Sequence, residues 1–161
     1  MIRHLAALGP KSRTSQSGYS FVELVITIGM ILIVTTLAMP TFLNYYRSAR
    51  VRAGAQTLSA YLNAARQLAI KTNVSVCVTN TASTLQFLQT SCAGTALYVS
   101  GLNSSSNINL PENITLSTGS NPIFGNLGNA STAATYTVTD SVSNRTLHVT
   151  VAGSGRITVG P

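Results

Sequence analysis

The sequence predicts an α+β protein in which one long amino-terminal helix packs, through its second half, on a small antiparallel β head. Three observations carry this. Residues 24–46 run for 23 positions without a charge. Apolar residues then recur at three- or four-residue steps almost to residue 70, the period of a helix with one buried face. From Val74 onward, short alternating runs are separated by Asn, Gly and Ser clusters. The chain has 161 residues, which suits one domain with an appendage. Only 8% of residues are charged and 45% are apolar, which excludes a disordered charged tail or a charge-rich coiled coil.

Ten basic and three acidic residues give a net charge of +7, distributed unevenly. Arg3, Lys11 and Arg13 precede residue 18, and no acid accompanies them. Arg47, Arg50, Arg52, Arg66 and Lys71 fall in a second acid-free stretch, residues 44–72. Beyond it, Arg145 and Arg156 are balanced by Glu112 and Asp140. A chain that met acidic partners over its whole surface would not be partitioned this way.

As a helix, the uncharged stretch from Leu24 to Tyr46 is about 35 Å long, enough to cross a hydrocarbon core of about 30 Å. Leu, Ile and Val dominate it, and its Gly29 and Pro40 are tolerated in membrane helices. The basic flank before it keeps the amino terminus in the cytoplasm and exports the rest. An ordinary secretory signal has a shorter apolar region and a small-residue cleavage site after it. Here the stretch ends in Tyr45, Tyr46 and Arg47, the composition of an interfacial anchor.

Glu23 stands at the edge of this stretch. It reads either as the last interfacial charge or as a carboxylate with a dedicated cationic partner, since an ionised group in hydrocarbon is costly. Cleavage after Gly18 would supply that partner: the new amine on Tyr19 lies four residues from Glu23, on the same face of a helix.

Ser17-Gly18-Tyr19-Ser20-Phe21-Val22-Glu23-Leu24 resembles the type III signal, or prepilin motif, of type IV pilins and type II secretion pseudopilins. The resemblance implies a pilin-like fold and a leader, residues 1–18, removed after Gly18 by a prepilin peptidase that also N-methylates Tyr19. It implies a transmembrane and assembly helix over residues 19–46, with Glu23 used in assembly and Pro40 placed where many pilins kink. It further implies a single-pass inner-membrane precursor with a periplasmic head, assembled with other minor pilins or pseudopilins into, or at the tip of, a filament. Tyr19 replaces the usual phenylalanine, which keeps an aromatic there.

Residues 47–73 form the amphipathic second half of the helix. Val51, Ala55, Leu58, Leu62, Ala65 and Ala69 make its packing stripe, while Arg50, Gln56, Asn63 and Arg66 face elsewhere. Pro40 is expected to bend the helix rather than end it. The end is expected near Lys71-Thr72-Asn73, with basic residues at the negative pole of the helix dipole.

The head, residues 74–161, reads as two small antiparallel sheets. Alternating runs occupy Val74–Thr79, Leu85–Leu88, Ala96–Val99, Tyr136–Thr139, Arg145–Val151 and Arg156–Val159. Clusters at Gly101–Asn107, Gly119–Pro122 and Gly125–Asn129 read as loops, and a tight hairpin is expected near Ser143-Asn144. Export to an oxidising compartment would permit a Cys77–Cys92 disulfide. Closing a loop of about 15 residues is worth roughly 3 kcal/mol in the chain-entropy model. Two buried free thiols are the alternative; the spacing is not that of a redox-active CxxC pair.

The segment Ala64 to Cys77, with its late Ala-Arg, its Ala-Ile-Lys and a strand opening after Asn73-Val74, looks like the GspH/FimT branch of this family. So does the closing Gly155-Arg156 strand. Some FimT-like minor pilins bind DNA in natural transformation through a Gly-Arg-x-Arg sequence. Here Thr158 replaces the second arginine, leaving Arg156, with Arg145, Arg66 and Lys71 as further candidate phosphate contacts. Arg156 is otherwise an ordinary strand-end charge.

An enzyme is not expected, and no cofactor is implied. His148 is the sole histidine beyond the leader and lies in an alternating strand. No nucleophile elbow supports a triad with Asp140, and Gly153-Ser154-Gly155 precedes a strand where a phosphate loop would open a helix.

Overall fold

The computed structural model describes residues 19–98 and 107–161. Gly18, the basic residues before it and Val99 lie outside them. Helix α1 covers Phe21–Thr72 and contains Pro40. Eight strands follow: β1 (Val76–Asn80), β2 (Thr84–Gln89), β3 (Asn107–Asn109), β4 (Ile114–Thr118), β5 (Ile123–Phe124), β6 (Ala134–Asp140), β7 (Thr146–Val151) and β8 (Ile157–Gly160). They form two four-stranded antiparallel sheets, ordered β3-β2-β1-β5 and β4-β6-β7-β8.

The chain divides into two compact units, residues 1–40 and 41–161. In the second unit all six residues of the expected stripe are buried, together with Gly54. Gly54 is required by packing: a Cβ there would meet the Ile114 side chain at 3.1 Å, so α1 and β4 approach closely. Leu58, Leu62, Ala65 and Ala69 pack in one core with Val76, Val78, Leu85, Phe87 and Phe124 of the first sheet and Tyr136, Val138, Val149 and Val151 of the second. The Tyr136 hydroxyl bridges the sheets by donating to the Val78 carbonyl at 3.4 Å, and burial pushes its ionisation well above the ordinary tyrosine value. The helix ends at Thr72, where Asn73 takes a left-handed conformation (φ 54°) and donates its amide to the Ile70 carbonyl.

Cys77 and Cys92 form a disulfide with a Cα separation of 5.1 Å. It ties β1 to the loop after β2, beside the Cys77↔Leu88 register pair. Asn144 has φ 53° in the turn that joins β6 to β7, as the hairpin expectation requires.

Two expectations are corrected. Ala96–Val99 does not form a strand in its described part: Ala96 makes a single bridge to Leu88, and the Leu97 amide donates to Phe87. The rest of that β2 edge is taken by β3, through Thr84↔Asn109, Leu85↔Ile108 and Gln86↔Asn107, so the position is divided between two segments. Strand β3 takes in Asn107, the last residue of the loop expected at Gly101–Asn107, and β4 and β5 fall outside every expected run. β3 and β5 are three and two residues long, below the length at which alternation can be recognised.

Candidate functional site

The expected site has two parts, an assembly helix and a set of head cations. On the helix, every residue from Tyr19 to Tyr46 is exposed except the half-buried Gly29. Large apolar side chains cover this surface, and α1 is long and apolar enough to cross a membrane. Three of its threonine hydroxyls are satisfied within the helix: Thr27 donates to the Leu24 carbonyl at 2.8 Å, Thr35 to Ile31 at 2.9 Å and Thr36 to Leu32 at 2.7 Å. A hydroxyl satisfied within its own helix costs little in hydrocarbon or between packed helices. Glu23 is exposed in the first turn, where a negative charge complements the helix dipole. Tyr19 precedes the helix, whose first bond here runs from the Leu24 amide to the Ser20 carbonyl. The four-residue facing of Tyr19 and Glu23 is therefore not formed as helix in this state.

The fold divides the head cations into two groups. Arg66 lies on the half-buried side of α1, and its Nε donates to the Gly128 carbonyl at 2.7 Å. Gly155 (φ 77°) packs on the same carbonyl, which a Cβ would strike, and that Cβ would also lie 3.1 Å from Arg66 Nε. The glycine and arginine of the closing signature thus have different reasons to be there. Gly155 is needed where a hairpin crosses the 125–129 loop, whereas Arg156 is exposed beside it. Lys71 is exposed on the last turn of α1.

Arg145 belongs to the other group. It precedes β7, whereas Arg156 precedes β8 and faces Ala152 beyond the far end of β7. The intervening strand puts the two about 20 Å apart. Arg145 instead donates through Nη1 to Ser48 Oγ on α1. The four candidate phosphate contacts do not share one face.

An ion pair that periodicity did not reveal lies near Arg145. Asp140, at the end of β6, is fully buried; its carboxylate accepts the Ser143 hydroxyl at 2.6 Å and the Val142 amide at 3.3 Å, with Arg50 Nη1 at 3.6 Å. Desolvation pushes this carboxyl up, but the Ser143 and Val142 bonds and Arg50 together outweigh it and hold it below the usual carboxylate value. The Arg50 guanidinium also lies over the Tyr46 ring, 4.9 Å from its centroid. Arg50 was expected to face away from the head and instead holds the helix to the β6–β7 turn. A helix-period reading cannot find this, because Arg50 sits at the rim of the stripe. His148 Nδ1 meets Thr137 Oγ1 at 3.3 Å, whereas the Asp140 carboxylate is held by Ser143, Val142 and Arg50.

Residues 54–155 match the family model described as type II transport protein GspH. The fold is similar to that of the minor pseudopilin EpsH from the type 2 secretion system of Vibrio cholerae, with a TM-score of 0.54 at 16% identity over 68% of this chain and 95% of that one. It is also similar to the type IV minor pilin FimU of Pseudomonas aeruginosa, with a TM-score of 0.53 at 15% identity over 68% and 92% of the two chains. No curated protein matches in sequence.

Proposed function

Because the chain belongs to the GspH family of type II transport proteins, whose members are structural components that assemble with other pilins or pseudopilins, we propose that it is an inner-membrane precursor matured for filament assembly. Prepilin peptidase cuts after Gly18 and methylates Tyr19, and the mature chain enters a type II secretion pseudopilus or type IV pilus, at or near its tip. The single observation that carries this reading is the exposure of the large apolar side chains of α1 from Phe21 to Leu43. So large an apolar surface needs lipid before assembly and neighbouring helices after it. Glu23 contributes the charge that sets one subunit's register against the next, paired with the amine that cleavage creates.

The test is processing followed by incorporation. Gly18→Asp is expected to block maturation, and a mature-sized band would contradict the cleavage site. Glu23→Ala is expected to leave the protein inserted and processed but depleted from sheared filaments; normal incorporation would remove Glu23 from the assembly role.

DNA capture through Arg156 stands second. Its exposure favours it, but Arg66 is engaged by Gly128 and Arg145 lies about 20 Å away, so few cations converge there. A gel-shift series in salt, wild type against Arg156→Ala, separates this reading from a purely structural subunit.

A further inference from the structure

Arg52 and Arg145 are the two charged side chains lining a cleft of about 580 Å³ between α1 and the ends of β7 and β8. We propose that this cleft holds the phosphate of an anionic phospholipid in the outer leaflet of the inner membrane while the subunit awaits assembly. The proposal rests on membrane insertion of α1. Ser48 and Arg52, on the same helix, lie two and six residues beyond Tyr46, about 3 and 9 Å along the axis. The polar headgroup layer begins where the hydrocarbon ends and is about 5–7 Å deep on each side. The cleft therefore runs from inside the headgroup layer at Ser48 to just past it at Arg52, whose long side chain can reach back to the lipid phosphates.

Its chemistry suits that level. Arg145, held to Ser48, and Arg52 bring two arginines from separate elements into the lining of one cleft. Planar guanidinium forks match phosphate oxygens in geometry and charge. Asp140, in the same hairpin, does not neutralise them, because its carboxylate is already engaged by Arg50, Ser143 and Val142. Val51, Leu147 and Val159 supply apolar lining, against which glycerol and the first acyl carbons can lie. Tyr45 and Tyr46, exposed on α1 just before Ser48, are of the type enriched at membrane interfaces. Duplex DNA would need a longer row of cations than this pair, with Arg156 too distant to extend it.

The full-length protein is purified in detergent micelles doped with equal phosphatidylglycerol and phosphatidylethanolamine, and retained lipid is counted by native mass spectrometry. Wild type is expected to retain phosphatidylglycerol several-fold over phosphatidylethanolamine. Arg52→Gln/Arg145→Gln is expected to lose the preference, each single change to weaken it, and Arg156→Gln to preserve it. Equal retention by wild type and the double variant overturns the proposal, as does an equal loss on Arg156→Gln. The single variants keep the test decisive should the double variant misfold. Soluble glycerol phosphate is added alone in a parallel arm; thermal stabilisation by it without lipid preference assigns the cleft to a free phosphate ligand. Loss of co-purifying pilins with lipid preference intact assigns it to a protein partner, and an Arg52- and Arg145-dependent gel shift without that preference assigns it to DNA. Each of those outcomes overturns the lipid site. Flotation with vesicles is scored separately: a protein that fails to float removes the membrane reading itself, whereas one that floats without lipid preference removes the headgroup site alone.

Discussion

The Arg50 guanidinium on α1 lies 3.6 Å from the Asp140 carboxylate, which is fully buried at the end of β6. Through this pair the helix, just beyond its apolar stretch, is joined to the turn between β6 and β7. Asp140 also closes that turn, its carboxylate accepting Val142 and Ser143 while its backbone pairs with Arg145 and Asn144.

Stability is expected to depend on Asp140 in acid. Its folded-state carboxyl is held below the ordinary value, so its contribution is present at neutral pH and is lost as pH falls through the lowered folded value. Thermal midpoints of wild type should fall over that acid window, and Asp140→Asn should flatten this part of the profile while lowering stability at pH 7. An unchanged acid limb in the variant would assign the dependence to another group.

Replacing either half-cystine is expected to cost roughly 3 kcal/mol, the chain-entropy value for a loop of about 15 residues. Denaturant unfolding of Cys92→Ser against wild type, with and without reductant, measures it. Reductant should bring wild type close to the variant.

Gly155→Ala is expected to destabilise the head by at least about 1–3 kcal/mol, because the left-handed backbone is strained for alanine and the new Cβ meets the Gly128 carbonyl. Arg66→Ala should cost about 1–3 kcal/mol by leaving that carbonyl without its donor. Arg156→Ala should stay within about 0.5 kcal/mol, as an exposed substitution does. Calorimetry of the three variants would show whether the closing signature is structural at its glycine and free at its arginine.

Leu58→Ala and Leu62→Ala are each expected to cost about 2–5 kcal/mol, since both are fully buried between the helix and the sheets. Gly54→Ala should also destabilise, because Ile114 at 3.1 Å must move to admit the methyl group. Proteolysis of the head in membrane extracts gives a second readout for all three.

The sequence by itself determined the helix, its buried stripe and its end. A 3.6-residue period and an uncharged stretch are local patterns, and a helix satisfies its backbone locally whatever the rest of the chain does. It also determined strands β1, β2, β6, β7 and β8, whose alternation is visible over four or more residues, though not the five-residue β4, and the feasibility of the disulfide. Tertiary structure decided which segment completes the β2 edge, which Ala96 and β3 share. It placed Arg50 on Asp140 and Arg145 on Ser48, and it set Arg145 and Arg156 at opposite ends of β7. Such pairings join residues some 90 positions apart. Their energy depends on burial and geometry that exist only after the chain has folded, so periodicity along the chain carries no trace of them.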